Sequence, residues 1–126
     1  MNSYYEGLPI YRAAMDSVVL IDRVVRVFPR HHKYTLGQRL REVSLDALVW
    51  VQRANTKATR VAALPRLCGR TEELKLLVQT GKELQAFSSF QQYAQVMEQV
   101  VNFARQAEAW RAHDNKLHQQ RPEPSR

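Results

Sequence analysis

The sequence predicts an all-α fold, an antiparallel up-down four-helix bundle. Three observations carry this reading. Apolar residues recur at alternating spacings of three and four in three separate stretches of about 20 residues, and a further stretch carries a leucine-rich face, the mark of helices with one buried stripe. Proline, serine, threonine and polar clusters punctuate the gaps between those stretches. Only four Gly and five Pro occur in 126 residues, too few for a turn-rich all-β fold, and no stretch alternates apolar and polar residues as a strand does.

The first helix is expected over residues 9–28. Pro9 suits a first helical turn, where its missing N–H has no intrahelical acceptor to lose. Tyr11, Ala14, Val18, Ile21, Val25 and Phe28 form a heptad-like seam. Val19, Leu20, Val24 and Val27 add a second apolar ridge. Pro29 stops the helix, because the residue before proline disfavours helical backbone. A basic connector follows: Arg30, His31, His32, Lys33 and Tyr34. Thr35 with Gln38 has the spacing of a capping box for a second helix over 36–55. The seam of that helix is Leu36, Leu40, Val43, Ala47, Trp50 and Ala54, with Leu45, Leu48 and Val51 as a second ridge.

The third helix is expected over 64–86, with Pro65 in its first turn and Leu67, Leu74, Leu77, Val78 and Leu84 on its core face. Gly81 lies inside it at a cost of about 1 kcal/mol relative to Ala, which predicts close approach by a neighbouring element. Ser88 and Ser89 followed by Gln91 and Gln92 predict a capping box for a fourth helix over 90–113. Tyr93, Met97, Val100, Ala104 and Ala107 line one face; Val96, Phe103 and Trp110 repeat every seven residues on the next. The bundle domain is therefore expected to cover 1–115, and 116–126 to be a polar, disordered tail with two prolines. The second ridges on the first, second and fourth helices exceed what one bundle buries and predict self-association. Phe103 and Trp110 are expected near a subunit contact.

A chain of 126 residues is one domain and can bury a core without covalent staples. Cys68 is the single cysteine, so no internal disulfide forms, which suits a reducing compartment. Without a neighbouring base it reads as an inert thiol. No apolar run reaches the roughly 18 residues of a membrane span, and residues 1–6 are polar and aromatic, unlike a signal sequence. The expected location is the cytoplasm, with no membrane association.

Catalytic and metal motifs are missing from the sequence. It has no Gly-rich phosphate loop, no H-E-x-x-H and no paired carboxylates on a polar helix face. His31 and His32 are adjacent and would point apart on a helix, with no Cys or carboxylate at ligand spacing. His113 and His118 are expected to face solvent. Asp16, Asp22, Glu42 and Asp46 read as charges on solvated faces, Asp22 with Arg26 at a spacing of four. The expectation is a non-enzyme with no cofactor and no metal.

The cations are more informative. The net charge is +7, and residues 1–70 hold 12 Lys/Arg against 5 Asp/Glu while residues 71–126 hold 7 of each. Such a surface suits a polyanion. Arg23, Arg26, Arg30, Lys33, Arg39 and Arg41 surround the first turnaround and are expected at one end of the bundle. Arg53, Lys57, Arg60, Arg66 and Arg70 are expected at the opposite end. The helix dipole alone accounts for Arg26, Arg53 and Lys57, but not for the basic starts of the second and third helices. Since Tyr34 is the one aromatic inside the basic connector, contact with phosphate backbone and little sequence preference are expected.

The stretch Phe28-Pro29-Arg30-His31-His32-Lys33-Tyr34-Thr35-Leu36-Gly37-Gln38-Arg39-Leu40 resembles the first helical turnaround of the accessory variability determinant (Avd) family, four-helix proteins encoded beside the reverse transcriptases of diversity-generating retroelements. Leu45-Asp46-Ala47-Leu48 and Ala54 continue the likeness, and Ser89, Gln92 and Tyr93 resemble the family's fourth-helix entry. Arg105 and Trp110 resemble its late G-R-x-x-G-G-W signature, with Ala104, Glu108 and Ala109 in place of the glycines. The likeness covers roughly residues 8–112, and 28–40 is its specific part.

The resemblance implies a cyclic homopentameric barrel, a homo-oligomer that binds the cognate reverse transcriptase and template RNA, DNA being a further candidate, in support of mutagenic complementary-DNA synthesis. A related group with the same architecture is the proteins encoded in 23S ribosomal-RNA intervening sequences. A helical adaptor with no nucleic-acid role is the alternative from another class.

Overall fold

The computed structural model describes residues 8–119. Its helices are α1 (Pro9–Val25), α2 (Arg30–Lys33), α3 (Leu36–Asn55), α4 (Arg60–Glu83) and α5 (Phe90–Gln119), and among the described residues there is no strand. The single turn of α2 aside, the four long helices form the up-down bundle. Each packs on its neighbour in the chain, and α5 returns against α1. Short connections force this: a chain that leaves one helix and enters the next within a few residues can only run back alongside it.

Most of the expected core positions lie inside or against the core, whereas Leu84, expected on the core face, caps the end of α4 and is 48% exposed. Ile21, Val25, Leu40, Leu64, Leu67, Leu74, Val78, Val96, Val100 and Phe103 are at most 1% exposed; each aliphatic side chain so buried contributes about 1.5–3 kcal/mol of transfer free energy. The buried hydroxyls are satisfied within their own helices: Ser17 Oγ donates to the Ala13 carbonyl at 2.8 Å and Thr71 Oγ1 to the Cys68 carbonyl at 2.9 Å.

Several boundaries differ from the sequence expectation. α1 ends at Val25, and Val27 and Phe28 turn tightly by donating to the carbonyls of Val24 and Val25. The connector holds the one-turn α2. Thr35 makes no capping-box bond; its hydroxyl donates backwards to the His31 carbonyl at 2.9 Å. α4 starts at Arg60, four residues early, which moves Pro65 inside the helix at the cost of the hydrogen bond its N–H would donate to Val61. α5 runs to Gln119, so 116–119 are helical rather than tail. The signal-sequence reading of residues 1–6 and the rest of the expected tail, 120–126, lie outside the described residues. The second cap forms with its return bond displaced by one residue: Gln92 N–H donates to Ser89 Oγ, and Gln92 Oε1 accepts from the N–H of Ser88 rather than of Ser89, both at 3.0 Å.

Two glycines set the helix spacing at the end where the first turn and the α4–α5 turn meet. A Cβ on Gly81 would fall 2.7 Å from Phe87 Cε2 and 3.2 Å from Leu36 Cδ2. The close neighbour expected at Gly81 is therefore the α4–α5 turn together with the start of α3. Gly37 packs equally closely on Val25 of α1.

Most of the second ridge of α5 is used within the protomer. Val96 and Phe103 are buried within the protomer and Trp110 is half-buried against it. Phe103, expected near a subunit contact, is a core residue of the protomer itself, because α5 lies between α4 and α1.

Candidate polyanion-binding surface

The eleven cations singled out by the sequence fall into three kinds. Four are paired with carboxylates on the helix surfaces. Arg41 Nε donates to Asp22 Oδ1 at 3.1 Å, tying α3 to α1. Arg26 reaches the other oxygen of Asp22 at 2.6 Å. Arg70 donates to Asp46 at 2.6 Å and to Glu73 at 3.3 Å, and Glu73 also receives Arg39. Asp22 and Asp46 are thus bridges between helices rather than plain solvated charges. Arg70 sits at mid-bundle beside α3, which corrects its placement at the far end: nearly three turns separate it from the start of α4.

Arg60 has a structural task. Its Nε donates to the Ala54 carbonyl at 2.7 Å and its Nη2 to the Asn55 carbonyl at 3.0 Å. Those carbonyls end α3 and have no intrahelical donor. The same guanidinium lies 5.8 Å from the Trp110 ring centroid.

The remaining cations have no carboxylate partner among the described residues. Arg23, Arg30 and Lys33 are at the connector end. Arg53, Lys57 and Arg66 are toward the other end. There Arg53 and Arg66 lie 4.6 and 5.6 Å from the ring of Trp50, which holds both guanidiniums at the α3–α4 surface. Trp50 Nε1 is itself buried without an acceptor among the described residues. Cations held in place yet unneutralised are the electrostatic requirement for phosphate contact.

The sequence reading missed what the α4–α5 turn adds to the connector end. Phe87 packs edge-on against Phe28, with Tyr93 and Phe90 following at ring separations of 5.8 and 5.6 Å. Lys82 Nζ stands 5.4 Å from the Tyr93 ring and 5.9 Å from that of Phe90. The signal was available: an up-down bundle brings its first and third turns to the same end. Tyr34 is 66% and Phe90 67% exposed, so this end is both basic and aromatic. His31 and His32 do not point apart; their rings lie 4.0 Å from each other in the tight turn of α2. No group of three metal-ligating side chains occurs among the described residues. His118 approaches Asp114 at 3.4 Å.

Cys68 is 2% exposed. Burial, with the Glu108 carboxylate beside it, pushes the thiol up to about 11, against a weaker opposing pull from Arg111. A thiol so protonated is a poor nucleophile. Among the described residues no helix is long and apolar enough to cross a membrane. Compared with known proteins, the chain matches no family model and no curated sequence.

Proposed function

We propose that this protein is a non-catalytic accessory factor of a diversity-generating retroelement. In this reading it is a cytoplasmic homo-oligomeric ring, a pentamer, that binds the reverse transcriptase and the template RNA during mutagenic complementary-DNA synthesis. The observation that carries the nucleic-acid half is the division of the cations. Arg39, Arg41 and Arg70 are consumed in bridges, while Arg23, Arg30 and Lys33 at one end and Arg53, Lys57 and Arg66 toward the other have no carboxylate partner among the described residues. The reverse-transcriptase half rests on the resemblance of residues 28–40 to the Avd turnaround.

Support for assembly comes from the α1–α3 surface. Val19 is one turn before Asp22 and Leu45 one turn after Arg41, so both lie on the face of the Asp22–Arg41 bridge. Val19 is 48% and Leu45 52% exposed.

Titration of labelled RNA at two salt concentrations tests the binding reading. Wild type should bind with a steep salt dependence. Replacing Arg23, Arg30 and Lys33 together by Glu should cut affinity and flatten the salt slope while helix content stays intact. Arg39 is left out because it already serves Glu73. Absence of RNA affinity in wild type at low salt refutes the nucleic-acid half, leaving the charge to protein docking.

A further inference from the structure

The α4–α5 turn contains a local cost that the fold does not require. Gln85 has φ 58°, the left-handed conformation, among the described residues the one non-glycine to adopt it. It follows the end of α4 in a helix-closing turn: Ala86 N–H donates to the Gly81 carbonyl at 2.9 Å and Gln85 N–H to the Lys82 carbonyl at 3.1 Å. Glycine is the usual residue at such a position, because any Cβ there is strained. A side chain is nevertheless present, and it lines a cleft.

That cleft, about 290 Å³, is formed by Lys82, Gln85, Phe87, Ser89, Phe90 and Tyr93. Its floor is rigid. Tyr93 Oη donates to Gln79 Oε1 at 3.1 Å, and the ring of Tyr93 rests against Phe87, which stands on the buried Phe28. Its rim is open, since Phe90 is 67% exposed. Lys82 lies beside both outer rings and has no carboxylate partner among the described residues. An exposed aromatic face, an adjacent cation and an amide that both donates and accepts are the groups an unstacked base of a nucleic acid engages. A purely apolar partner would gain nothing from Lys82 or from the strained Gln85.

We infer that this cleft binds an unstacked nucleobase of single-stranded RNA. The base stacks on Phe90, Lys82 meets the adjoining phosphate, and the Gln85 amide bonds to the base edge. Stacking tolerates every base, so the cleft adds affinity for single strands without demanding a sequence. The inference rests on the RNA-binding reading above and adds a base-dependent contact to its backbone-dependent one.

The test compares a labelled single-stranded RNA oligonucleotide with polyphosphate of matched charge on the full chain. Wild type should prefer RNA. Phe90→Ala should lose about tenfold in RNA affinity and keep its affinity for polyphosphate. Gln85→Gly should melt no lower than wild type, since it relieves the left-handed strain, and should still bind RNA more weakly. Equal affinity of wild type for RNA and polyphosphate, or wild-type RNA affinity in both variants, overturns the base cleft and leaves the polyanion reading standing. Binding to neither ligand overturns both.

Discussion

A methyl group on Gly37 would lie 2.6 Å from Cγ1 of Val25, well inside van der Waals contact, and 3.3 Å from the His32 carbonyl oxygen. Val25 is fully buried and β-branched, so its methyl has no alternative place. Gly37→Ala should therefore destabilise the protein by about 1–3 kcal/mol, although alanine is the better helix former by about 1 kcal/mol. Gly69, with open space where a Cβ would go, is the internal control. Gly69→Ala should stabilise by about 0.4–1 kcal/mol. Urea denaturation of both variants reads the two signs; a stabilised Gly37→Ala would mean that α1 and α3 are not in this contact.

Arg60 is predicted to be a structural cation rather than an RNA contact. It joins the last carbonyls of α3 to the first turn of α4, so Arg60→Ala leaves two acceptors without their donor. A loss of about 1–3 kcal/mol is expected. Arg60→Lys should recover little of it, because an ammonium lacks the guanidinium's fixed fork. Denaturation midpoints check this, with wild-type stability in the lysine variant as the refuting result. RNA affinity, compared at a temperature where both variants are folded, should fall far less than on replacing Arg53 and Arg66.

The helices were legible because their evidence is local. Residues such as Ile21, Val25, Val43 and Ala47 follow the 3.6 period and are buried where that period puts them. What escaped was set by contacts between elements. Thr35 has capping-box spacing, but the tight α2 turn offers its hydroxyl the His31 carbonyl. Arg70 looked like a helix-start cation until α3 placed Asp46 beside it. Charge counting registers Arg39, Arg41 and Arg70 as free, and only the packing of α1, α3 and α4 shows them paired. The aromatic cleft was hidden similarly, since its residues come from two helix ends and a turn.

Cys68 gives a pH prediction with a definite sign. Its folded pKa, about 11, lies above the ordinary thiol value of 9.0. Between those values the folded state holds a proton that the unfolded state releases. The thiol's contribution is thus fully present below pH 9 and is lost as pH rises toward 11, on the order of 2–3 kcal/mol. Cys68→Ser removes the difference, because serine does not titrate in that range. The gap in stability between wild type and variant should therefore narrow across that interval, measured by denaturant titration at each pH. A gap independent of pH would mean the thiol is not shielded. In native wild type near pH 8 the thiol should also resist alkylation until the bundle is unfolded.

Assembly is the prediction on which the ring reading depends. The surface in question is the outer side of the α1–α3 pair, where Val19, Leu45 and Val49 remain 40–52% exposed in the protomer. Val96 and Phe103 of the second α5 ridge already fill the protomer's own core. Leu45→Glu, by placing a carboxylate in an apolar contact, should lower the particle mass measured by light scattering at micromolar concentration from a multiple of 14.7 kDa toward 14.7 kDa itself. Helix content should not change, because position 45 faces away from the core. Leu76→Glu is the comparison: Leu76 is more exposed, at 66%, but lies on α4 outside this face, so that variant should assemble like wild type. Phe103→Ala separates folding from assembly, since it should cost about 3–5 kcal/mol of protomer stability by emptying a core position. If wild type is a monomer of 14.7 kDa, the exposed ridge is an ordinary surface and the ring is wrong. If Leu76→Glu dissociates the particle and Leu45→Glu does not, the ring is built through α4 instead.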